Sequence, residues 1–168
     1  MRLFAAFLVV AVMNMTLAIV PAQARGFSLE SFFAGRTDAD GSFRAITGLQ
    51  RKFTVALHGN WDGRTLTLRE DFTFDDGTRD RKTWRFVKTG PDSYRGTRED
   101  VVGETLVKID GNVARFTYLV YLDAANRRNK VRFHDTMTLR GNGTVLNSAY
   151  VTKFGLPVAW TRVEFRRR

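Results

Sequence analysis

From Gly35 onward, apolar and polar residues alternate with a period of two over much of the chain. Phe53, Val55 and Leu57 share one parity, while Thr54, Ala56 and His58 share the other. Leu66, Leu68, Phe72 and Phe74 form a second apolar row opposite Thr65, Thr67, Arg69, Asp71 and Thr73. Successive side chains of a strand point to opposite faces, so these rows predict half-buried β-strands.

Turn signals separate the rows. Asp-Gly pairs stand at Asp40-Gly41, Asp62-Gly63, Asp76-Gly77 and Asp110-Gly111, with Gly141-Asn142-Gly143, Gly90-Pro91-Asp92 and Asp123 to Asn126 as further punctuation. Asp-Gly and Asn-Gly tolerate the positive φ of tight hairpins. Strands are expected near 41–47, 51–59, 64–75, 79–89, 93–98, 103–109, 112–122, 129–140, 144–154 and 157–166. Only Ser28 to Phe33 reads as a short N-terminal helical turn, stopping at Gly35. The fold class is therefore all-β. Sequential hairpins without long crossovers favour a single antiparallel up-and-down β-barrel of about nine or ten strands over a two-sheet sandwich. Small closed barrels either fill their interior or hold one small ligand.

The N-terminus has a different pattern. Arg2 precedes the apolar run Phe4 to Met13, and Pro21-Ala22-Gln23-Ala24 follows with small residues where a signal peptidase needs them. Residues 1–24 are expected to be an export signal cleaved after Ala24, leaving a barrel domain at 25–168 in the periplasm. A retained anchor helix is the alternative, interrupted by Asn14 and Thr16. No cysteine follows the run, so no lipid can be attached there.

Composition narrows the chemistry. The chain has 168 residues and no cysteine, which excludes disulfides, thiol nucleophiles and cysteine-ligated metals. Its 27 Lys and Arg against 17 Asp and Glu give a net charge of +10. For an exported domain without a phosphate-binding loop or a recognition-helix pattern, that charge points to an anionic membrane surface or to polyanionic envelope polymers rather than to nucleic acid. The Arg166-Arg167-Arg168 tail is the densest basic cluster, and a solvated terminus explains it as well. His58 and His134 are the only histidines, and they make no metal pattern. Serine lacks a nucleophile elbow, and no cofactor motif is present.

The informative residues are polar groups on apolar rows. Glu70 sits between Leu68 and Phe72, and Asp135 between Phe133 and Met137. Asn147 lies with Val145, Ala149 and Val151, and Lys153 continues that row. An unpaired buried carboxylate is costly, so a Glu70–Lys153 or Asp135–Lys153 pair bridged by Asn147 is expected. Such a cluster is either a structural network that pins register or a ligand-binding group, and a bulge could turn one carboxylate outward. His134 adjoins Asp135 but should point to the other face. Leu68, Phe72, Trp84, Phe116 and Tyr118 are candidates to line an apolar cavity, or to fill the core in its place.

Several motifs occur in one order: Phe32-Phe-Ala-Gly35, Gly59-Asn-Trp-Asp-Gly63, Leu66-x-Leu-x-Glu70-x-Phe72-x-Phe74-Asp-Asp-Gly77 and Trp84. Tyr94-x-Gly96, Asp100-Val-Val-Gly103, His134-Asp-Thr-Met137, Leu146-Asn147 and Lys153-Phe-Gly155 continue the series. Together they resemble the bacterial family catalogued as domain of unknown function 3833, over residues 32–166. The resemblance implies a calycin-type barrel akin to lipocalins and fatty-acid-binding proteins. It also implies an envelope setting, often as a lipoprotein, with genes frequently near those of lipid-modifying enzymes. Its characteristic polar positions match Glu70, Asp100, Asp135, Asn147 and Lys153. The chain departs from it in lacking a lipobox cysteine and in carrying His134 and Thr136 around Asp135.

Three function classes remain open at this point. One is a protein that binds an apolar or acyl-chain ligand in the barrel, with Lys153 or an arginine meeting its head group. The second is a filled barrel that acts as an envelope scaffold through its basic surface. The third is a small lipid-modifying enzyme with Glu70 or Asp135 as general acid or base. Oligomeric state has no signature in the sequence.

Overall fold

Short turns join most neighbouring strands, and chain order becomes spatial order. The computed structural model describes residues 26–122 and 128–168. Residues 1–24, expected to be an export signal, and the turn expected at Asp123 to Asn126 lie outside the described residues.

A short helix, α1 (Leu29–Phe33), precedes ten strands. They are β1 (Gly35–Ala45), β2 (Gln50–Trp61), β3 (Thr65–Phe74), β4 (Arg79–Gly90) and β5 (Ser93–Thr97), then β6 (Thr105–Asp110), β7 (Val113–Tyr121), β8 (Lys130–Leu139), β9 (Val145–Lys153) and β10 (Leu156–Arg167). Each pairs antiparallel with the next, and β1 closes on β10 from Thr37↔Arg167 to Ala45↔Ala159. The result is a closed antiparallel lipocalin-like barrel. Closure leaves no strand at a sheet edge, although β4–β5 and β6–β7 pair over only part of their length.

One expected turn is not a turn. Asp40-Gly41 lies inside β1, which begins at Gly35. Gly41 stands opposite Phe53 of β2, and a Cβ there would lie 2.2 Å from the Phe53 ring. Glycine serves at this position to give an inward ring room, not to bend the chain. The other Asp-Gly pairs do turn, with Gly63, Gly77 and Gly111 all at positive φ.

The barrel has two unlike ends. One is closed by α1, which is held by a Ser28–Ser31 capping box and buries Leu29, Phe32 and Phe33. Phe33 meets Phe165 edge-on at 5.3 Å. A Cβ on Gly59 would fall 1.8 Å from the Phe33 carbonyl oxygen, so the plug seats directly on bare backbone. Glu30 of the plug accepts from Lys88 Nζ and from the Tyr94 hydroxyl, each at 2.5 Å. Burial pushes the Glu30 carboxyl up, but these hydrogen bonds outweigh it and hold the group below its usual range. The opposite end carries the β1–β2, β3–β4, β5–β6, β7–β8 and β9–β10 connections and has no such plug among the described residues.

Candidate ligand cavity

Inward-facing residues do not fill the barrel. A cavity of about 240 Å³ runs from the plug residues Leu29 and Phe33 toward the unplugged end. Leu68, Phe72, Trp84, Phe116 and Tyr118 all line it. Its wall is largely aromatic. Trp84 stacks on Phe86 at 5.0 Å, Tyr118 stacks on Phe133 at 5.4 Å, and Trp84 meets Tyr118 edge-on at 5.1 Å. Phe53, Phe72 and Phe74 cluster on the opposite wall nearer the mouth.

Into this apolar space project Glu70 from β3, Asp135 from β8 and Asn147 from β9. Asp135 and Asn147 are diagonal neighbours across the β8–β9 ladder, where Asp135 pairs with Ala149 and Met137 with Asn147. The Asn147 amide donates to Oδ1 of Asp135 in a short hydrogen bond. Asp135 Oδ2 and Asn147 Oδ1 are left buried without a hydrogen-bond partner. Burial pushes the Asp135 carboxyl up to about 6, against the opposing pull of Asn147, Tyr118 and Arg98.

Glu70 is placed differently. Lys82 stands directly opposite it in the β3–β4 ladder. The lysine turns its amine away, to Asp80 at 3.2 Å and Asp100 at 3.4 Å. Among the described residues Glu70 keeps no hydrogen bond or ion pair. Burial pushes its carboxyl up to about 7; the Arg98 charge resists this, and Asp135, Glu99 and Asp100 add to it.

The expected partnership with Lys153 is not formed. Lys153 shares the parity of Asn147, but it ends β9 at the mouth and donates to Asn129 Oδ1 at 2.9 Å. The cation near the carboxyls is Arg98, which sequence reasoning missed. It follows the end of β5, where alternation no longer assigns a face; its only signal was the Arg-x-Asp spacing to Asp100. Arg98 donates to Asp100 from Nε at 2.6 Å and from Nη2 at 3.2 Å. Its guanidinium lies 4.7 Å from the Trp84 ring and 5.5 Å from that of Tyr118, a bidentate and stacked site suited to arginine. Asp100 therefore acts through Arg98 and Lys82 at the mouth rather than from inside the cavity. His134 points outward and stacks on Tyr150 at 4.3 Å, away from Asp135 as expected.

A family model described as a protein of unknown function, DUF3833, matches residues 6–167. The chain belongs to that family. No curated protein matches it. The DUF3833 barrel is similar in structure to the S-type phycobiliprotein lyase CPES from Guillardia theta, with a TM-score of 0.59 at 10% identity over 84% of this chain and 93% of that one. It is also similar to Rv2717c from M. tuberculosis, with a TM-score of 0.58 at 12% identity, over 82% and 94% of the two chains. At such identities the likeness concerns the fold alone, and function has to be argued from the cavity.

Proposed function

We propose that this DUF3833 protein is an exported binding protein that holds one small, largely apolar molecule in its barrel. The observation that carries this reading is the aromatic cavity, plugged at one end by α1 and furnished at mid-depth with a few convergent polar groups. Cavities of that make-up are the usual form of small-molecule sites. A filled scaffold would not keep such space, and the uncompensated carboxyls would then have no use. Export rests on residues 1–24, so the protein working in the periplasm should begin at Arg25.

The unplugged rim supports contact with an anionic lipid surface. Ile46, Leu49, Leu122, Phe154 and Leu156, all on connections or strand ends at that rim, are exposed. Phe154 is 95% exposed and occupies the left-handed region at φ 52°, followed by Gly155 at φ 82°. A two-residue hairpin of this kind favours Asn or Gly at its first position, so an exposed phenylalanine there is sterically disfavoured. Backbone strain kept at an exposed apolar tip is a pointer to function. The Lys153 amine lies 5.8 Å from the Phe154 ring, which puts a cation beside the apolar tip. An apolar tip with a lysine beside it suits the boundary between lipid head groups and acyl chains.

The test is native mass spectrometry with organic extraction on protein purified from the envelope of its own host. We expect an intact chain starting at Arg25 with a stoichiometric organic adduct. An unliganded mass, together with no binding of the neutral apolar fluorophore N-phenyl-1-naphthylamine, would overturn the reading.

A further inference from the structure

The cavity is lined by donors and acceptors, and its donors already face carboxylates, the Tyr118 hydroxyl bearing on Asp135. Both cations near it are occupied: Arg98 by Asp100 through two hydrogen bonds, and Lys82 by Asp80 and Asp100. The Arg98 guanidinium also lies against the Trp84 and Tyr118 rings. What remains open is acceptor capacity. Asp135 and Asn147 are only 5% and 8% exposed, and Oδ2 of one and Oδ1 of the other have no donor. Both residues line the cavity, as does the unpaired carboxyl of Glu70. Turning the Asn147 amide over would not remove the deficit, because its oxygen would then face Asp135 Oδ1 and leave two acceptors in contact.

Buried polar atoms are normally satisfied, and orphans that border a cavity mark where a bound molecule supplies the missing partner. A carboxylate or phosphate head group would bring more acceptors, and negative charge, against Glu70 and Asp135. A hydroxyl brings a single donor. An amine or primary amide brings at least two N–H donors, enough for Asp135 Oδ2 and a second acceptor. We propose that the cavity selects an apolar molecule whose polar end is an N–H donor, an amine or an amide, and rejects one ending in a carboxylate or phosphate. This inference rests on the cavity being a ligand site. It reverses the head-group chemistry that a Lys153 amine beside the cluster would imply.

The experiment compares octylamine, octanamide and octanoate, titrated calorimetrically into the mature protein at pH 7.5, with naphthalene, a fluorophore that carries no N–H or O–H donor, as a cavity control. The expected result is at least about tenfold tighter binding of octylamine and octanamide than of octanoate, the scale of one charge-assisted hydrogen bond. Equal or tighter binding of octanoate overturns the donor inference and leaves the binding-protein reading standing. So does binding of the fluorophore with none of the three octyl probes. If neither the fluorophore nor any octyl probe binds, both readings fall. Asp135→Asn should erase the preference for octylamine in a protein whose circular dichroism spectrum matches wild type. Glu70→Gln, at a group that faces open space, gives the same test should Asp135→Asn fail to fold. A preference that survives in either folded variant overturns the assignment of that residue, and survival in both overturns the inference.

Discussion

Asn147 reaches diagonally across the β8–β9 ladder to donate a short side-chain hydrogen bond to Asp135, and its own carbonyl oxygen receives none in return. The contact lies where the barrel wall is otherwise apolar. Asn147→Ala removes the donor and leaves the buried carboxyl with less to oppose its burial. The expected loss is about 1–3 kcal/mol, the cost of orphaning a buried polar group. Urea unfolding at pH 7 measures it, and an unchanged midpoint would show that water reaches Asp135 freely.

Glu70 and Asp135 give stability a characteristic pH dependence. Both carboxyls are raised by burial, Glu70 from 4.5 to about 7 and Asp135 from 3.8 to about 6. Between roughly pH 4 and 7 the folded protein therefore binds more protons than the unfolded chain, and stability falls as pH rises through that window. A tenfold change in proton affinity is worth about 1.4 kcal/mol, so the loss between pH 4 and 8 is on the order of a few kcal/mol. Burial lowers His134, which works in the opposite sense below 6.5 and remains in every variant. Glu70→Gln and Asp135→Asn should each raise the unfolding midpoint at pH 8 and do little at pH 4. A Glu70–Lys153 ion pair would have demanded the reverse for Glu70→Gln. The comparison of wild type and variants at the two pH values decides the sign.

The plug depends on the missing side chain at Gly59. With the Phe33 carbonyl oxygen 1.8 Å from where a Cβ would stand, Gly59→Ala must push α1 off the barrel end or distort β2. Overpacking of this kind costs about 1–3 kcal/mol. It should also loosen the contacts of Glu30 with Lys88 and Tyr94, which lie on the same end. Hydrogen exchange should rise in residues 27–34 more than in the mouth-end turns. Uniform exchange with an unchanged melting temperature would mean that the plug does not bear on Gly59.

These contrasts show what alternation along a chain can and cannot convey. The ten strands are legible because turn chemistry is local, and Glu70, Asp135 and Asn147 stand out because each breaks an apolar row. Parity assigns a face but not a depth. Lys153 follows Asn147 on the same face, yet six residues at about 3.3 Å each place it roughly 20 Å further along β9, at the rim. Arg98 escapes notice because it lies beyond a strand end, where parity assigns nothing and only the fold brings it against Trp84 and Tyr118. Asp40-Gly41 mimics a turn because glycine also serves where a ring needs clearance, and sequence alone does not separate the two uses.

Phe154 sets a local stability preference against the proposed contact with lipid. Asn tolerates the left-handed backbone at that turn better than a bulky aromatic does, and Phe154 is too exposed to lose much packing on replacement. Phe154→Asn should therefore leave stability unchanged or raise it by up to about 1 kcal/mol. The same change removes the most exposed apolar side chain at the mouth. Sedimentation with vesicles of phosphatidylglycerol and phosphatidylethanolamine should show several-fold weaker binding of Phe154→Asn than of wild type. Wild-type binding should weaken as salt rises from about 0.05 to about 0.5 M, because screening acts on Lys153 and on the chain's excess of basic residues. A variant that is more stable and binds vesicles less would show that the strain is kept for the membrane. Equal binding by both proteins would detach the rim from lipid and leave the cavity to be explained by a ligand that arrives through water.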